Sequence, residues 1–420
     1  MNNAILVASF LIFVIFSAII PASYPSIATQ LYGSNAEGKT TDIANGNNIQ
    51  HDINYDLGNR GKNGQCISYD YSEKSIVISC GSVHLTDIAN QINEQNVIKK
   101  ESDGNWLLNA GIIIEKGAKW LKILADGNVA HDIHVYGSLI IDSIRLTSWN
   151  PSTNDYAQSY GSRETSGKIT HPGAPRPFIR IESGSTGTTN ITNSEIAYLG
   201  YEGGWGSGTS GIHYHNGGDG SIIKNNKIHN LYFGFYSNSV SDMLIENNLF
   251  YNNGHYGIDP DTGTHDMIIR NNTVYGNNGT AIICSLDCYN ILIENNKVYN
   301  NTGSGITFSR NMTNSVVRNN FVHNQMNAIF VSASHNNEVY NNTIFNTDDG
   351  ISLANGASKN KIHDNRIINS VNALRFNADS HENTLYSNKI VNATQNTIKY
   401  DDQNTKDNNN DNSSTLNRNT

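Results

Sequence analysis

Residues 222–226 read Ile-Ile-Lys-Asn-Asn, 244–248 Leu-Ile-Glu-Asn-Asn, 268–272 Ile-Ile-Arg-Asn-Asn, 292–296 Leu-Ile-Glu-Asn-Asn, 316–320 Val-Val-Arg-Asn-Asn and 338–342 Glu-Val-Tyr-Asn-Asn. The first Asn of each pair stands at 225, 247, 271, 295, 319 and 341, so the steps are 22, 24, 24, 24 and 22 residues. Weaker copies follow around Asn365 and Asn388. Between the Asn pairs runs a second mark, a small residue followed by apolar ones: Gly211, Gly234, Gly257, Ala281, Gly305, Ala328, Gly350 and Ala373. A fixed period of this length is the signature of a solenoid. Short stems with alternating apolar residues make its elements strands, with every second side chain turned inward. The reading is an all-β fold, a right-handed single-stranded parallel β-helix with three short strands per coil. Asn suits the turns because it tolerates the left-handed conformation and can hydrogen-bond the neighbouring coil as a ladder. A leucine-rich repeat is disfavoured because its L-x-x-L-x-L frame is absent.

Outward from this stretch the pattern loosens. Apolar runs at 107–114, 121–124, 133–135, 139–144, 178–181 and 191–196 read as earlier, less regular coils, so the β-helix is placed at 106–400. Residues 148–177 break the period and read as a long loop, a place where function often resides. Residues 25–105 read as an N-terminal cap, and the Asn- and Asp-rich 401–420 as a disordered tail. Ala4 to Ala22 is almost wholly apolar, with no Lys or Arg before it. It is long enough to span a bilayer, so residues 1–24 read as a signal peptide or a membrane anchor. The rest is then expected to be extracytoplasmic. In that compartment Cys66 can pair with Cys80 and Cys284 with Cys288, although the second loop is small enough that free thiols are the alternative.

The composition agrees. The chain has 420 residues, 37% hydrophobic and only 15% charged. At roughly 150 residues per domain, this length would suggest several domains; the repeat replaces them with one solenoid. Aromatic and β-branched residues argue against disorder. Lys and Arg number 28 against 37 Asp and Glu, a net charge of −9 without a basic run, which excludes nucleic acid as the expected partner. A monomer is expected.

Departures from the repeat carry the chemistry. The sharpest is His255-Tyr-Gly-Ile-Asp-Pro-Asp-Thr-Gly-Thr-His265, where a Pro interrupts a strand and Tyr256, Asp259, Asp261 and His265 stand where other coils carry Ser, Asn or Thr. Counting two and four residues on from each small-residue mark stacks His213, Tyr236 and Asp259 in one row and His215, Asn238 and Asp261 in the next. These six are predicted to share one solvent-facing groove, with Arg310 at its rim.

The segment from Tyr256 to Ile283 resembles the catalytic coil of the mannuronan C5-epimerases, which carry Tyr-Gly-X-Asp-Pro-His on a right-handed β-helix. Tyr256, Gly257, Asp259 and Pro260 match that motif in place. Asp261 stands where the family has a His, a proposed catalytic base, and Ser285 where it has an acidic residue in the next coil. The resemblance implies catalytic roles for Tyr256 and Asp259, with Asp261 or His265 in place of the motif His. It also implies an acidic polysaccharide, a polyuronate, as substrate. His213, His215, Tyr236, Asn238 and Arg310 are the expected substrate-binding residues. The alternatives are a polysaccharide lyase on the same scaffold and a non-catalytic glycan-binding β-helix. No cofactor is expected: two His at alternate positions lack a third metal ligand, and the sequence does not support a Ca2+ site.

Overall fold

Three strands and three turns make one coil, and the coils stack in register. The computed structural model describes residues 66–72, 75–79, 83–100, 106–108, 110–114, 121–122, 133–143, 145–148, 155–158, 161–163, 169–172, 176–203, 208–377, 379–401, 409–410 and 416–417. They fall in one compact unit, Ile53–Thr420. Residues 4–22 and Cys80 lie outside them. Among the described residues no helix is long and apolar enough to cross a membrane.

The groove face is built by Ile133–Val135, Ile179–Ile181, Gly211–His215, Phe233–Asn238, Ile258–Asp261, Ile282–Cys284 and Ile306–Ser309, each paired in parallel with the next. A second face is a separate sheet of 11 strands, from Leu139–Asp142 through Leu244–Glu246 and Ile268–Arg270 to Asn409–Asn410. The third face runs from Arg145–Thr147 through Leu249–Tyr251 and Thr273–Tyr275. In later coils the third-face and groove-face strands merge, as in Phe321–Ser332, Thr343–Ala354 and Arg366–Phe376. The fold is the right-handed parallel β-solenoid that the repeat predicts.

The sheet begins earlier than the 106–400 span. Ile67–Asp70 and Ser75–Ile78 form an antiparallel hairpin, and Ser75–Ile78 pairs in parallel with Gly111–Ile114. Within the stretch expected to be an unstructured tail, Asn409–Asn410 and Leu416–Asn417 pair in parallel with Thr384–Tyr386 and Lys389–Val391. In the long loop, Gly161–Arg163 and Ile169–Pro172 form a small antiparallel hairpin.

Alternation places one apolar column on each face. On the second face Ile223, Ile245, Ile269, Ile293, Val317, Val339, Ile362 and Leu385 stack directly and are all 0% exposed. Each fully buried side chain of this size contributes about 1.5–3 kcal/mol of transfer free energy. The two Asn of each pair divide the turn between them. The first takes the left-handed backbone, with φ of 59° at Asn225, 57° at Asn247 and 56° at Asn271. The second points inward: Asn272 Nδ2 donates to Ile245 O (2.9 Å) and Asn296 Oδ1 (3.1 Å), and its Oδ1 accepts from Asn248 N (2.9 Å) and Nδ2 (3.0 Å). This ladder runs from Asn226 to Asn388 and satisfies buried backbone groups that no strand pairs.

Candidate active site

The groove rows follow the predicted register. His213 pairs with Tyr236 and His215 with Asn238; Tyr236 pairs with Asp259 and Asn238 with Asp261. Coils stack roughly 4.8 Å apart, so each row is a line of side chains at that spacing.

Pro260 shapes the centre. Ile258 N donates to Ala281 O on the following coil at 2.9 Å. The next N–H on that side would be residue 260, and proline has none. Pairing with the following strand is accordingly confined to Ile258 and Ile282. The chain resumes contact where Ser285 N donates to Pro260 O at 2.9 Å. The break turns Ser285 toward the site, and its Oγ donates to Asp259 Oδ1 at 2.8 Å.

Asp259 is 2% exposed. Burial and the neighbouring Asp261 push its carboxyl well above the usual carboxylate range, against the opposing pull of Ser285 and Arg310. It is therefore a carboxylic acid that retains its proton where an exposed Asp would have lost it. Asp261, half-buried, accepts from Tyr236 Oη (Oδ2, 3.1 Å) and from Thr262 N (Oδ1, 2.7 Å). Burial first, then Asp261 and Asp259, raise the Tyr236 phenol.

Tyr256 enters from the turn before this strand. Its ring meets His255 edge-on at 4.0 Å and Phe233 at 5.5 Å. A Cβ on Gly279 would sit 2.9 Å from Tyr256 Cδ1, so glycine there leaves room for the ring. Burial first, then the neighbouring Asp259 and Asp261, raises its phenol, while Arg310 opposes them. Arg310 has φ 58°, and its Nε donates to Ser285 O at 3.0 Å. That bond folds the guanidinium back over the coil that carries Ser285. Tyr256, Asp259, Asp261 and Arg310 thus share one electrostatic neighbourhood.

His265 stands apart. It lies on the turn between the groove face and the second face, where its backbone bridges Ser241 and Tyr289. Its ring stacks on Tyr289 at 4.5 Å and Nδ1 meets Asp266 Oδ2 at 2.8 Å. None of the described interactions joins it to Tyr256, Asp259 or Asp261. The reason is the turn at Thr262–Gly263, which carries the chain around a corner within four residues.

The structure also adds residues that motif reading missed. Arg180 pairs with His213 and His134 with Arg180, extending the Asp259 row upstream. Arg180 Nε donates to Glu182 Oε2 at 3.2 Å, and Glu182 Oε1 meets His134 Nδ1 at 2.6 Å. Ile-Arg-Ile-Glu at 179–182 matches Ile-His-Tyr-His at 212–215 position by position, a signal present in the sequence.

Cys284 and Cys288 are buried free thiols, so the CSLDC pair is not a disulfide. Cys284 lies on the strand and points into the core, which burial makes a poor place for a thiolate; burial likewise pushes Cys288 up to about 12. Cys66 is disulfide-bonded. Among the described residues no group of three or more His, Cys, Asp or Glu side chains is arranged to hold a metal ion.

The fold and site define a right-handed β-helix with an acid- and tyrosine-lined groove. A family profile described as right handed beta helix region matches residues 177–344, and one described as periplasmic copper-binding protein (NosD) matches 283–420. The chain is similar to the mannuronan C5-epimerase of Pseudomonas syringae pv. tomato, 26% identical over 207 residues, which span 46% of this chain and 36% of that protein. It also resembles the crystal structure of the periplasmic alginate epimerase AlgG (TM-score 0.63, 21% identity, 78% of this chain and 84% of the other). The mannuronan C-5 epimerase AlgE4 A-module of Azotobacter vinelandii superposes with TM-score 0.52 at 16% identity, over 74% of this chain and 87% of the other. These structural likenesses concern the fold. The sequence relative bears out the resemblance to the mannuronan C5-epimerases drawn from the Tyr256 coil, and the solved structures bear out the β-helix fold.

Proposed function

We propose that the protein is a polyuronate C5-epimerase that converts mannuronate residues of a polymannuronate chain to guluronate. What supports this reading is the coil that shares the epimerases' Tyr-Gly-X-Asp-Pro, with Asp259 and Asp261 in register with Tyr236 and Asn238 and with Tyr256 and Arg310 in their electrostatic neighbourhood.

C5 epimerisation removes a proton α to a carboxylate and returns one on the opposite face. While the substrate carboxylate keeps its full charge, the α-proton is scarcely acidic. Arg310 supplies a guanidinium, and Asp259, holding its proton, supplies a hydrogen-bond donor; both stabilise the charge that develops on that carboxylate. Tyr256 and Asp261 take the two faces of the ring. Tyr256, whose phenol is raised by burial, is the proton donor. Asp261, oriented by Tyr236 and Thr262, is the base in the position of the family's His. His213, His215, Asn238 and Tyr236 bind neighbouring sugars, and His265, stacked on Tyr289, takes no part in proton transfer. The Cys66 disulfide supports an extracytoplasmic location.

The test incubates purified protein with polymannuronate and follows it by proton NMR and ultraviolet absorbance. Guluronate signals without unsaturated uronate support the epimerase. Unsaturated ends show a lyase, and neither product refutes an enzyme acting on this polymer.

A further inference from the structure

The third face carries a different balance of charge from the rest of the surface. Eight of its strands, from Lys227–His229 to Lys389–Val391, pair in parallel and in register. Each points the first and third residues of its Lys-Ile-His-like triplet away from the core. No Asp or Glu stands at any of these outward positions, two in each of eight strands, although the chain holds 37.

The first-position row carries Lys227, Lys297, Arg366 and Lys389. All four are exposed, and none is ion-paired with a carboxylate among the described residues. Lys297 Nζ lies over the ring of Tyr299 at 5.2 Å. Arg366 and Lys389 are cross-strand neighbours, and like charges directly opposite each other destabilise a sheet. On the second face the same solenoid pairs its cations: Lys224 and Arg270 both bind Glu246, at 2.8 and 2.7 Å, and Arg318 binds Glu294 at 2.8 Å. A row of uncompensated cations on a chain of net charge −9 suits an anionic partner.

The third-position row decides which partner. His229, Tyr251, Tyr275, Tyr299 and His323 stack ring on ring, with centroids 4.5 to 5.3 Å apart. Their faces are used against one another, so ring edges and hydroxyls are what reach solvent. A sugar docks on an aromatic face, and this row offers none. Amphipathic ring edges instead suit the headgroup level of a bilayer, where Tyr is enriched. Between Lys297 and Arg366 stands Phe321, 40% exposed, and five residues on is Met326, 55% exposed. Apolar groups beside cations are what an interfacial surface buries at the acyl boundary. The register holds for seven coil steps, roughly 34 Å, so the four cations can meet one plane. Residues 4–22, outside the described part, read as a signal peptide or a membrane anchor, and under the second reading a bilayer is the chain's standing neighbour.

We propose that the third face is a membrane-docking surface, on which Lys227, Lys297, Arg366 and Lys389 meet anionic lipid headgroups while Phe321 and Met326 enter the interface. It lies on another face than the groove and does not depend on the groove's chemistry.

The test uses the full chain with phosphatidylcholine vesicles, plain or containing about 30% phosphatidylglycerol, and a lipid-borne quencher. A fluorophore is attached at Thr273→Cys on the third face or at Thr384→Cys on the second. The Thr273 label is quenched by anionic vesicles alone, and added salt reverses the quenching; the Thr384 label is not quenched. Lipid titrations read by the Thr273 label then compare two double variants. Lys227→Gln with Lys297→Gln weakens docking roughly ten- to thirtyfold. Lys359→Gln with Lys361→Gln, the same change of charge on exposed residues off the third face, leaves it nearly unchanged. The apolar run 4–22 is the same in every protein, so its contribution cancels. Equal quenching of both labels, quenching without anionic lipid, or equal losses in the two double variants overturns the proposal. A Thr273 label that responds to polymannuronate and not to anionic vesicles overturns it in favour of a glycan-binding face.

Discussion

The Asn ladder gives the most quantitative expectation. Asn272→Ala removes an amide that is 1% exposed and makes four hydrogen bonds. Asn296 Oδ1 keeps Asn272 N, and Asn248 Nδ2 keeps Ile223 O. Asn248 N loses the side-chain acceptor that it used inside the solenoid. An unsatisfied buried donor costs about 1–3 kcal/mol, and each of the other lost bonds about 0.5–1.5 kcal/mol. The expected destabilisation is about 5 kcal/mol. The matched control is Asn271→Gly, one residue earlier, exposed and at φ 56°, a backbone that glycine adopts freely. Its effect should stay within about 1 kcal/mol. Urea unfolding followed by circular dichroism reads both. Equal stability losses in the two variants would refute the division of labour within the Asn pair, and with it the account of why the repeat is written Asn-Asn.

Three more expectations follow from the groove. Asp259 has a folded pKa above its unfolded one, so its contribution to stability is greatest below about pH 4 and is lost as pH rises through the folded value. Asp259→Asn should therefore gain thermal stability over wild type as pH rises from about 4 to 8, and melting curves showing the same gap at every pH would contradict the buried, proton-retaining acid. Arg310→Ala should lower kcat/KM on polymannuronate on the order of 10²–10³-fold without a change in melting temperature, because the side chain is exposed; a larger stability loss than rate loss would make it structural. Cys284 and Cys288 should be unreactive toward thiol reagents in the native protein and titrate as two thiols after denaturation. Rapid native labelling would place them outside the core.

The fold was legible because a solenoid repeats its instructions. Six copies of an apolar stem before Asn-Asn specify the second face and its turn, and the small-residue mark specifies the register of the groove face. That register puts His213, Tyr236 and Asp259 in one row, as the strand pairing does. His265 was harder to place. Its distance from Asp261 in sequence is short, but the turn at Gly263 rotates the chain onto another face, and no local pattern encodes that angle. Arg180 was missed because the coil before Gly211 is separated from it by an irregular segment, so a count along the chain loses the row. The state of Asp259 is beyond motif reading as well, since it follows from the balance of burial and Asp261 against Ser285 and Arg310, which stand on three different coils. The CSLDC spacing is compatible with thiols or with a disulfide; the structure puts both sulfurs in the core as thiols.

The central claim is that this groove exchanges the C5 proton of a mannuronate residue. The most direct measurement runs the reaction on polymannuronate in D2O and reads deuterium at C5 by NMR. The account predicts guluronate residues carrying solvent deuterium at C5, with both product and exchange lost in Tyr256→Phe. Polymer recovered with neither guluronate nor deuterium at C5 would contradict it.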